Sequence, residues 1–401
     1  MAPRALDELP LFQSPPEGGP AVYEYFRRAR AETPFVRDPN GMLVALRARM
    51  IETLVSDKTR QSETESTLAQ GITEGPIFEF VADLVVCANG ETHRRRRQPI
   101  ARPFAFKLIE AMRPKAGAIA AELVQERLHA GPIDFVSEVA EQIPARIIAD
   151  VLGIPRSDVS VFMQWLADAG EALGLIAEGR RPALEASLNA FNAYVDGLLL
   201  ERRKRPRSDF LSDYVEATAA SGELSEREIR AQIVGLILAG SDTTRNSICM
   251  ILNALLHHPE QWRAFKADPD GLKRQVVEEG LRYEPVVTAI GRVVISDLEL
   301  EGYLIPAGTP VILPIASMLR DPEVYADPET FNIYRTDHPR WSFAFGAGAH
   351  RCVGEALARV EMEETLTTIA RLAPHTALVG EAPILLPGPI RSVSQMRLAL
   401  A

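Results

Sequence analysis

The stretch "FAFGAGAHRCVGEALARVE" runs from Phe343 to Glu361 and places one cysteine, Cys352, between a glycine-rich loop and an apolar repeat. The residues after the cysteine that recur with helical spacing are Val353, Ala356, Leu357 and Val360. We therefore place Cys352 at a helix N-terminus, where free N–H groups and the helix dipole favour a thiolate. A phosphate-binding loop is excluded because no Lys-Ser or Lys-Thr pair follows the glycines, and a dinucleotide loop is excluded because position 351 is arginine.

The composition narrows the function further. The chain has 401 residues, of which 54 are acidic and 44 are basic, and its net charge of −10 argues against nucleic acid as the main partner. The three cysteines, Cys87, Cys249 and Cys352, are far apart and form no CxxC pair, which excludes a disulfide scaffold and a four-cysteine metal site. We expect Cys87 and Cys249 to be ordinary small core residues.

The order of segments predicts one main domain. Residues 1–20, with "PP" and "GGP", predict a poorly structured arm, and residues 21–401 show neither a repeat period nor a long linker, so we expect a single domain there. No run of about 18 apolar residues appears, and the N-terminus lacks the pattern of a secretory signal. We therefore expect a cytoplasmic protein without a membrane segment.

The periodicity predicts a mainly α protein with small β-sheets. Two short strands are expected around the turn "DPNG", and others in "YLIPAGTPVILPIAS" and "PILLPGPIRSVSQMRLAL". About 250 residues between these segments have mostly helical periodicity, for example "AMRPKAGAIAAELVQERLH" and "LNAFNAYVDGLLLERRKR". The sheets therefore lie toward the two ends of the chain.

One predicted helix is unusually long and has an unusual centre. It opens with a capping box formed by Ser225 and Glu228 and ends before Pro259, so that about 30 residues would span roughly 45 Å. Its middle, Gly240 to Thr244, consists of residues that are poor in helix interiors. Such a local conflict marks an expected functional site, although a packing glycine with solvated neighbours is the alternative.

The opening stretch resembles the haem-binding loop of the cytochrome P450 family. The family pattern F-x-x-G-x-x-x-C-x-G is met by Phe345, Gly348, Cys352 and Gly354, together with Gly346 and His350. The resemblance implies the cytochrome P450 fold, with haem b (iron protoporphyrin IX) between the long distal helix and the cysteine loop with its proximal helix. It makes Cys352 the iron ligand, shielded by Phe345, and gives Gly348 and Gly354 the role of letting the backbone approach the sulfur and the porphyrin.

Two further motifs support the resemblance. "AGSDTT" matches the family's A-G-x-[DE]-T at Ala239, Gly240, Asp242 and Thr243. In the family, the glycine leaves room for dioxygen, and the acid and the hydroxyl deliver protons. "EEGLRYEP" carries the family's E-x-x-R pair, Glu279 and Arg282, whose implied role is structural. Read without the family, that pair is only an ordinary i,i+3 ion pair.

The resemblance also assigns residues to the haem propionates. His93 and Arg97 lie at i,i+4 in "ETHRRRRQP", and Arg292 and His350 join them. The alternative for such a basic run is a solvated helix face. The chain departs from the family at Met318 and Leu319, which stand where alanine and asparagine are common, and this puts the local hydrogen bonds in doubt.

Substrate contacts are expected from the loop after the E-x-x-R helix, from the distal helix, from residues near Phe80 and Leu84, and from a C-terminal turn ending at Met396. The expected wall comprises Leu236, Val286, Val287, Thr288, Ala289, Ile290 and Val393. These residues are mostly aliphatic, which favours a small-to-medium hydrophobic substrate. Each of them, taken alone, is more often ordinary core than substrate wall.

The implied function is that of a haem-thiolate monooxygenase, using O2 and two electrons. No fused flavin or iron–sulfur domain fits in the chain, so the expected electron donors are a ferredoxin and an NAD(P)H-dependent ferredoxin reductase, and a monomer is expected. The ferredoxin is expected to dock against Arg94, Arg95, Arg96 and Arg351. The alternatives are a haem-thiolate peroxygenase or isomerase, against which Asp242 and Thr243 argue, and a haem-binding sensor without turnover.

Overall fold

Helices make up most of the protein. The structure is a computed structural model that describes residues 3–12, 19–101, 106–383, 385–386 and 390–401. The α-helices are α1 (Pro20–Glu32), α2 (Ile51–Leu54), α3 (Glu65–Ala69), α4 (Pro76–Asp83), α5 (Gly90–Ala101), α6 (Phe106–Arg127), α7 (Gln142–Leu152), α8 (Val159–Ala172), α9 (Arg181–Lys204), α10 (Phe210–Ser221), α11 (Glu226–His257), α12 (Pro259–Ala267), α13 (Pro269–Tyr283), α14 (Ile315–Met318) and α15 (Glu355–Leu372).

The strands form small sheets, as the sequence predicts. They are β1 (Phe35–Arg37), β2 (Leu43–Ala45), β3 (Thr59–Arg60), β4 (Pro132–Asp134), β5 (Ala289–Val294), β6 (Leu298–Leu300), β7 (Tyr303–Ile305), β8 (Pro310–Pro314), β9 (Ala377–Leu378), β10 (Leu385–Leu386), β11 (Ser392–Val393) and β12 (Arg397–Ala399). A mixed sheet has the order β1-β2-β8-β5-β3, in which only β2 and β8 are parallel. A second sheet places β12 between β4 and β9, so that the C-terminus pairs with the middle of the chain.

The long predicted helix is confirmed as α11, with 32 residues. Ser225 and Glu228 form the predicted capping box, in which each side chain accepts a hydrogen bond from the other residue's backbone N–H. The helix continues without a break through the segment from Gly240 to Thr244. The Ser241 hydroxyl in this segment donates to a carbonyl of the preceding turn, Ile237 O, at 2.9 Å, so its polar group is satisfied within the helix.

Residues 3–12 differ from the predicted poorly structured arm. Arg4 N donates a hydrogen bond to Gly302 O at 2.9 Å, Leu9 is buried in the core of the mixed sheet, and the ring of Phe12 stacks against α1. The prediction is wrong for this segment because its apolar side chains gain burial against the sheet and the helix. Residues 1–2 and 13–18 of the predicted arm lie outside the described residues.

Two apolar cores position the functional residues. The larger core lies among the helices, with α11 at its centre in contact with α7, α9, α13 and α15. The smaller core lies under the mixed sheet and reaches the cysteine loop through Phe343 and Ala344. Within the described residues, no helix is both long and apolar enough to cross a membrane.

Candidate active site

The cysteine loop presents its sulfur to an internal cavity. A short 3-10 turn, Phe343–Phe345, is capped by Ser342 Oγ, which accepts from Ala344 N, and Cys352 N donates back to Phe345 O at 2.9 Å. Cys352 precedes α15 by three residues and lies on the wall of a cavity of about 350 Å³. Burial raises the pKa of its thiol, whereas a hydrogen bond from the Gly354 amide opposes that rise.

The two glycines of the cysteine loop differ in what surrounds them. The φ of Gly348 is +66°, and an added Cβ would lie 2.9 Å from Val55 O, so the residue lets the loop approach the backbone that follows α2. Gly354 has an ordinary φ of −87°, and its Cβ would lie 4.0 Å from Cys352 Sγ, a normal contact. The implied role of both glycines in the approach to the sulfur and the porphyrin stays a prediction.

Four basic side chains from three parts of the chain meet beside the cavity. The rings of His93 and His350 are 4.0 Å apart, and both histidines interact electrostatically with Arg97 and Arg292. Burial, followed by these neighbouring cations, lowers the pKa of His93 and lowers that of His350 to about 3. Burial also lowers the pKa of Arg292 to about 10 and lowers that of Arg97.

Among the described residues, no carboxylate forms an ion pair with this basic cluster. His93 Nε2 is buried without a hydrogen-bond partner among the described residues. Arg292 is held by Thr59, whose Oγ1 accepts from Arg292 Nε at 2.9 Å, and Arg97 donates to Arg351 O, so both contacts are neutral. Two carboxylates of a bound group would satisfy the cluster, and a thiol open to the same cavity would face its metal. The residues present therefore fit a haem.

The middle of α11 forms another part of the cavity wall. Ala239, Gly240 and Thr243 line it together with Leu236 and Ser247, following the helical spacing. Thr243 Oγ1 donates to Ala239 O at 2.9 Å, and Ser247 Oγ donates to Thr243 O at 2.8 Å. The predicted catalytic residue Thr243 thus lines the same cavity as the cysteine.

Asp242 points away from that wall. Its carboxylate lies 3.4 Å from Arg245 Nη1 at the partly exposed edge of α11. Burial and the Asp242 charge raise the pKa of Glu141, which follows a π-helical turn, while the Arg245 charge opposes the rise. Asp242 therefore belongs to a charge cluster with Arg245 and Glu141 at the partly exposed edge of α11. The next residue, Thr243, lines the cavity.

The E-x-x-R pair is buried and fully hydrogen-bonded. Arg282 donates from Nε and Nη2 to Glu279 at 2.7 and 2.8 Å, and both side chains are 0% exposed. Glu279 also accepts from Asn332 N and Arg335 Nε, whereas Arg282 also donates to Leu319 O. The pair thus ties α13 to the segment that leads into the cysteine loop. Its hydrogen bond to Leu319 O involves the backbone at one of the positions where the chain departs from the family pattern.

The predicted substrate wall is partly found. Leu236, Val286, Val287 and Ile290 line the cavity, but Thr288, Ala289 and Val393 are outside the wall that the described residues form. Ala289 alternates with Ile290 along β5, and successive strand residues face opposite sides. Val393 is buried in the main core, where its N–H donates to Asn246 Oδ1 at 3.0 Å. Phe80 and Leu84 are likewise core residues.

Several wall residues were missed by the sequence reasoning. On α15 they are Leu357, Ala358, Glu361 and Met362, and elsewhere they include Val55, Val86, Ile148 and Thr244. The α15 set could have been found, because it continues the helical spacing that begins after Cys352. Val55, Val86 and Ile148 come from distant segments and carry no sequence signal.

The predicted docking arginines are mostly engaged in ion pairs. Arg96 is only 6% exposed and binds Glu228 and Asp83, and Arg95 also binds Glu228. Both therefore tie α5 to the start of α11, which corrects the expectation that they form part of a free docking surface. Arg94 remains exposed, with only its neighbour Glu91 as an ion-pair partner among the described residues.

Comparisons with known proteins agree with this geometry. The cytochrome P450 family model matches residues 180–268 and 272–372. A plant-inducible cytochrome P450, pinF1, from Rhizobium radiobacter is 36% identical over 398 residues, covering 98% of this chain and 93% of its own. Mycinamicin IV hydroxylase/epoxidase from Micromonospora griseorubida is 31% identical and covers 83% of this chain and 87% of its own.

The fold comparison agrees as well. The crystal structure of CalO2 superposes with a TM-score of 0.90 at 25% identity, covering 98% of this chain and 99% of that one. The cysteine loop, the basic cluster, α11 and the buried E-x-x-R pair occur together in one chain that matches these proteins along nearly its whole length. The protein therefore belongs to the cytochrome P450 family and is a haem-thiolate monooxygenase.

Proposed function

We propose that the protein hydroxylates or epoxidises a small-to-medium hydrophobic compound. The observation that carries this proposal is the cavity itself, which has Cys352 on one wall, Thr243 on the other and aliphatic side chains between them. One oxygen atom of O2 enters the substrate and the other leaves as water, with two electrons and two protons consumed. The aliphatic part of the wall, including Val286, Val287 and Ile290, favours apolar ligands.

Haem b is the proposed cofactor, and it supplies the activation of dioxygen when bound. Cys352 is the proposed iron ligand, with the Gly354 amide stabilising its thiolate. His93, Arg97, Arg292 and His350 are proposed to hold the propionates, because they form a basic cluster beside the cavity and His93 Nε2 has no partner within the described part of the chain. Phe345 and Gly346 also line the wall beside the cysteine.

Thr243 and Asp242 are the proposed route for protons. The Thr243 hydroxyl faces the cavity and is proposed to orient dioxygen and pass protons to it, whereas Asp242 lies at the solvent edge and exchanges protons with water. Ala239 and Gly240 keep this part of the wall free of large side chains.

The iron-ligand proposal is tested by spectroscopy. We expect Cys352→Ala to lose the red-shifted Soret band of the reduced carbonmonoxy form, because the thiolate is removed. The matched control is Cys87→Ala, which changes a partly buried cysteine outside the cavity wall and should keep the band. Persistence of the band in Cys352→Ala would reject this ligand.

The proposed electron donor is a ferredoxin, reduced by an NAD(P)H-dependent reductase. Trp341, just before the cysteine loop, is 58% exposed and lies between the guanidinium groups of Arg340 and Arg351, which are 5.3 and 4.9 Å from its ring. Arg351 is itself ion-paired with Glu355, so Arg340 and the exposed Arg94 are the cations proposed to attract an acidic partner. We further propose a cytoplasmic monomer with residues 21–401 as one haem domain.

The ferredoxin proposal is tested by reversing one charge. Arg94→Glu should lower the ferredoxin-supported reduction rate at low salt, and high salt should remove the difference. Arg27→Glu is the matched control, because Arg27 also forms an exposed i,i+3 pair with a glutamate but lies on α1. Equal rates for both variants would remove Arg94 from the docking surface.

A further inference from the structure

One part of the cavity wall lies outside the helices and strands. Residues 284–287, here called the wall segment, connect the end of α13 at Tyr283 to the start of β5 at Ala289. Val286 and Val287 of this segment line the cavity. Because neither a helix nor a strand ladder fixes this backbone, its position depends on the groups that bind its carbonyl oxygens and side chains from outside.

Arg391 supplies several of these groups. Its guanidinium donates from Nε and Nη2 to Pro285 O at 3.1 and 2.7 Å, and Nη2 also lies 2.7 Å from Glu284 Oε2. The backbone N–H of Arg391 donates to Val286 O at 2.9 Å. One arginine thus binds three consecutive residues of the wall segment.

Residues 390–393, here called the C-terminal segment, are anchored on two sides. Ile390 forms an antiparallel bridge with Val287, and Val393 N donates to Asn246 Oδ1 on α11 at 3.0 Å. Asn246 is 1% exposed and follows Thr243 by three residues on that helix. The C-terminal segment therefore connects the wall segment to the part of α11 that lines the cavity.

The ion pair between Arg391 and Glu284 is largely buried and is shared with α1. The side chains are 11% and 20% exposed, and the Tyr23 hydroxyl donates to the same Glu284 Oε2 atom at 2.9 Å. A guanidinium is a planar fork with donors in fixed directions. It therefore holds the Glu284 carboxylate and the Pro285 carbonyl in one arrangement, which the single ammonium of a lysine would not reproduce.

We propose that Arg391 is a positioning residue for the substrate, which sets where Val286 and Val287 stand in the cavity relative to Thr243. Arg391 acts through the wall segment and from behind the cavity wall. An apolar ligand packs against the two valines, so a shift of this wall changes its affinity and its orientation toward the reacting centre. The inference rests on the proposed function, in which haem is bound at Cys352 and the substrate occupies the same cavity.

The test compares ligands that bind the iron of the ferric holoenzyme. Imidazole is small, whereas 1-phenylimidazole and 4-phenylimidazole carry a ring further into the cavity in two different directions. The shift of the Soret band gives the Kd of each ligand. Arg391→Lys should raise the Kd of at least one phenylimidazole several-fold and leave that of imidazole unchanged, because the wall has moved and the iron site has not. Wild-type ratios of both phenylimidazole constants to the imidazole constant would overturn the proposal.

Arg202→Lys is the matched control. Arg202 is also a buried arginine that joins a carboxylate to a carbonyl, since Nε donates to Asp209 and Nη2 to Gly153 O, each at 2.8 Å. It lies at the end of α9, outside the cavity wall that the described residues form. Arg202→Lys should lose resistance to urea as Arg391→Lys does, but keep the wild-type ratios. A purely structural role of Arg391 predicts wild-type ratios for both variants.

Tyr23→Phe is a milder variant that decides the question where Arg391→Lys does not load haem. It removes the hydroxyl that donates to Glu284 and leaves the guanidinium in place. The Kd ratios should change in the same direction as expected for Arg391→Lys, but by less, at unchanged haem content. Wild-type ratios in haem-loaded Tyr23→Phe would then reject the proposal.

The wild type separates this proposal from the proposed function. If the wild type lacks the red-shifted carbonmonoxy band or shows no Soret shift with imidazole, the proposed function fails, and the positioning proposal fails with it. If the wild type binds all three ligands and Arg391→Lys leaves both ratios unchanged, only the positioning proposal is rejected.

Discussion

Two buried glutamates on neighbouring helices have opposite surroundings. Glu279 of α13 is 0% exposed, binds Arg282 and Arg335, and accepts a backbone hydrogen bond. Glu361 of α15 is almost as buried, but its Oε2 has no partner within the described residues and its carboxyl borders the cavity. The two helices pack against each other. Burial itself is therefore not what distinguishes the two groups.

The difference lies in what compensates the cost of burial. Glu279 remains with its cations because a buried pair with good geometry offsets desolvation, and removing one partner would strand the other charges. For Glu361, burial raises the pKa of the carboxyl and so favours its protonated form. A buried acid that has its cations therefore ties segments of the fold together, whereas burial without a cation favours the neutral carboxyl.

The largest expected effect on stability comes from removing Glu279, the buried acid that has its cations. Glu279→Ala should lower the free energy of unfolding by about 3–5 kcal/mol, because Arg282 and Arg335 would lose their buried counter-charge. Urea denaturation measures the loss, and haem incorporation should fall as the segment before the cysteine loop loosens. Normal haem loading with near wild-type stability would mean that the pair is not structural.

A smaller loss of unfolding free energy is expected from a substitution in α13 that leaves the ion pair between Glu279 and Arg282 intact. The Cβ of Gly280→Ala would lie 2.5 Å from Ile251 Cγ1, and overpacking of this kind costs about 1–3 kcal/mol of unfolding free energy. Gly197→Ala on α9 is the control, since, apart from chain neighbours and the backbone of its own helix, no atom of the described residues lies within 4 Å of its added Cβ, and it should stabilise the helix by about 0.5–1 kcal/mol. A loss for Gly280→Ala as large as that of Glu279→Ala would show that packing, rather than charge, decides the stability of α13.

On the cavity side, Thr243→Ala should affect turnover while leaving stability close to that of the wild type. NADPH consumption should continue, while product falls and hydrogen peroxide rises several-fold, because the hydroxyl facing the cavity is gone. Measurements of oxygen uptake, product and hydrogen peroxide show how the consumed NADPH divides between product formation and peroxide release. Unchanged coupling would remove Thr243 from the proton route.

A pH dependence of stability that belongs to Glu361 alone is also expected. Its pKa is raised in the folded state, so the folded protein keeps a proton that the unfolded chain releases once the pH passes the ordinary glutamate value of 4.5. The unfolding free energy therefore falls as the pH rises from that value toward the raised one. Urea denaturation of the wild type and of Glu361→Gln at about pH 5 and about pH 8 should show the variant gaining relative to the wild type at the higher pH. Parallel curves would mean that Glu361 is ionised when folded.

Much of the fold was predictable because its signals are local. The capping box at Ser225, the helical spacing of α11 and the turn between β1 and β2 each depend on residues close together in sequence. The motif residues Cys352, Thr243, Glu279 and Arg282 were assigned from the resemblance to the cytochrome P450 family, whose motifs are also short stretches of sequence. The basic run around Arg96 was misread, because its partner Glu228 is 132 residues away in the chain.

The sequence by itself determined the family, the course of the main helices and the chemical groups of the active site, since these follow from short-range spacing and residue type. Tertiary structure alone decided which polar and charged groups have hydrogen-bond or ion-pair partners. It paired Arg96 with Glu228, turned Asp242 toward solvent, removed Val393 from the cavity wall and left Glu361 unpaired on it. The physical reason is that desolvation and ion pairing depend on which distant segments pack together, and no local pattern encodes that.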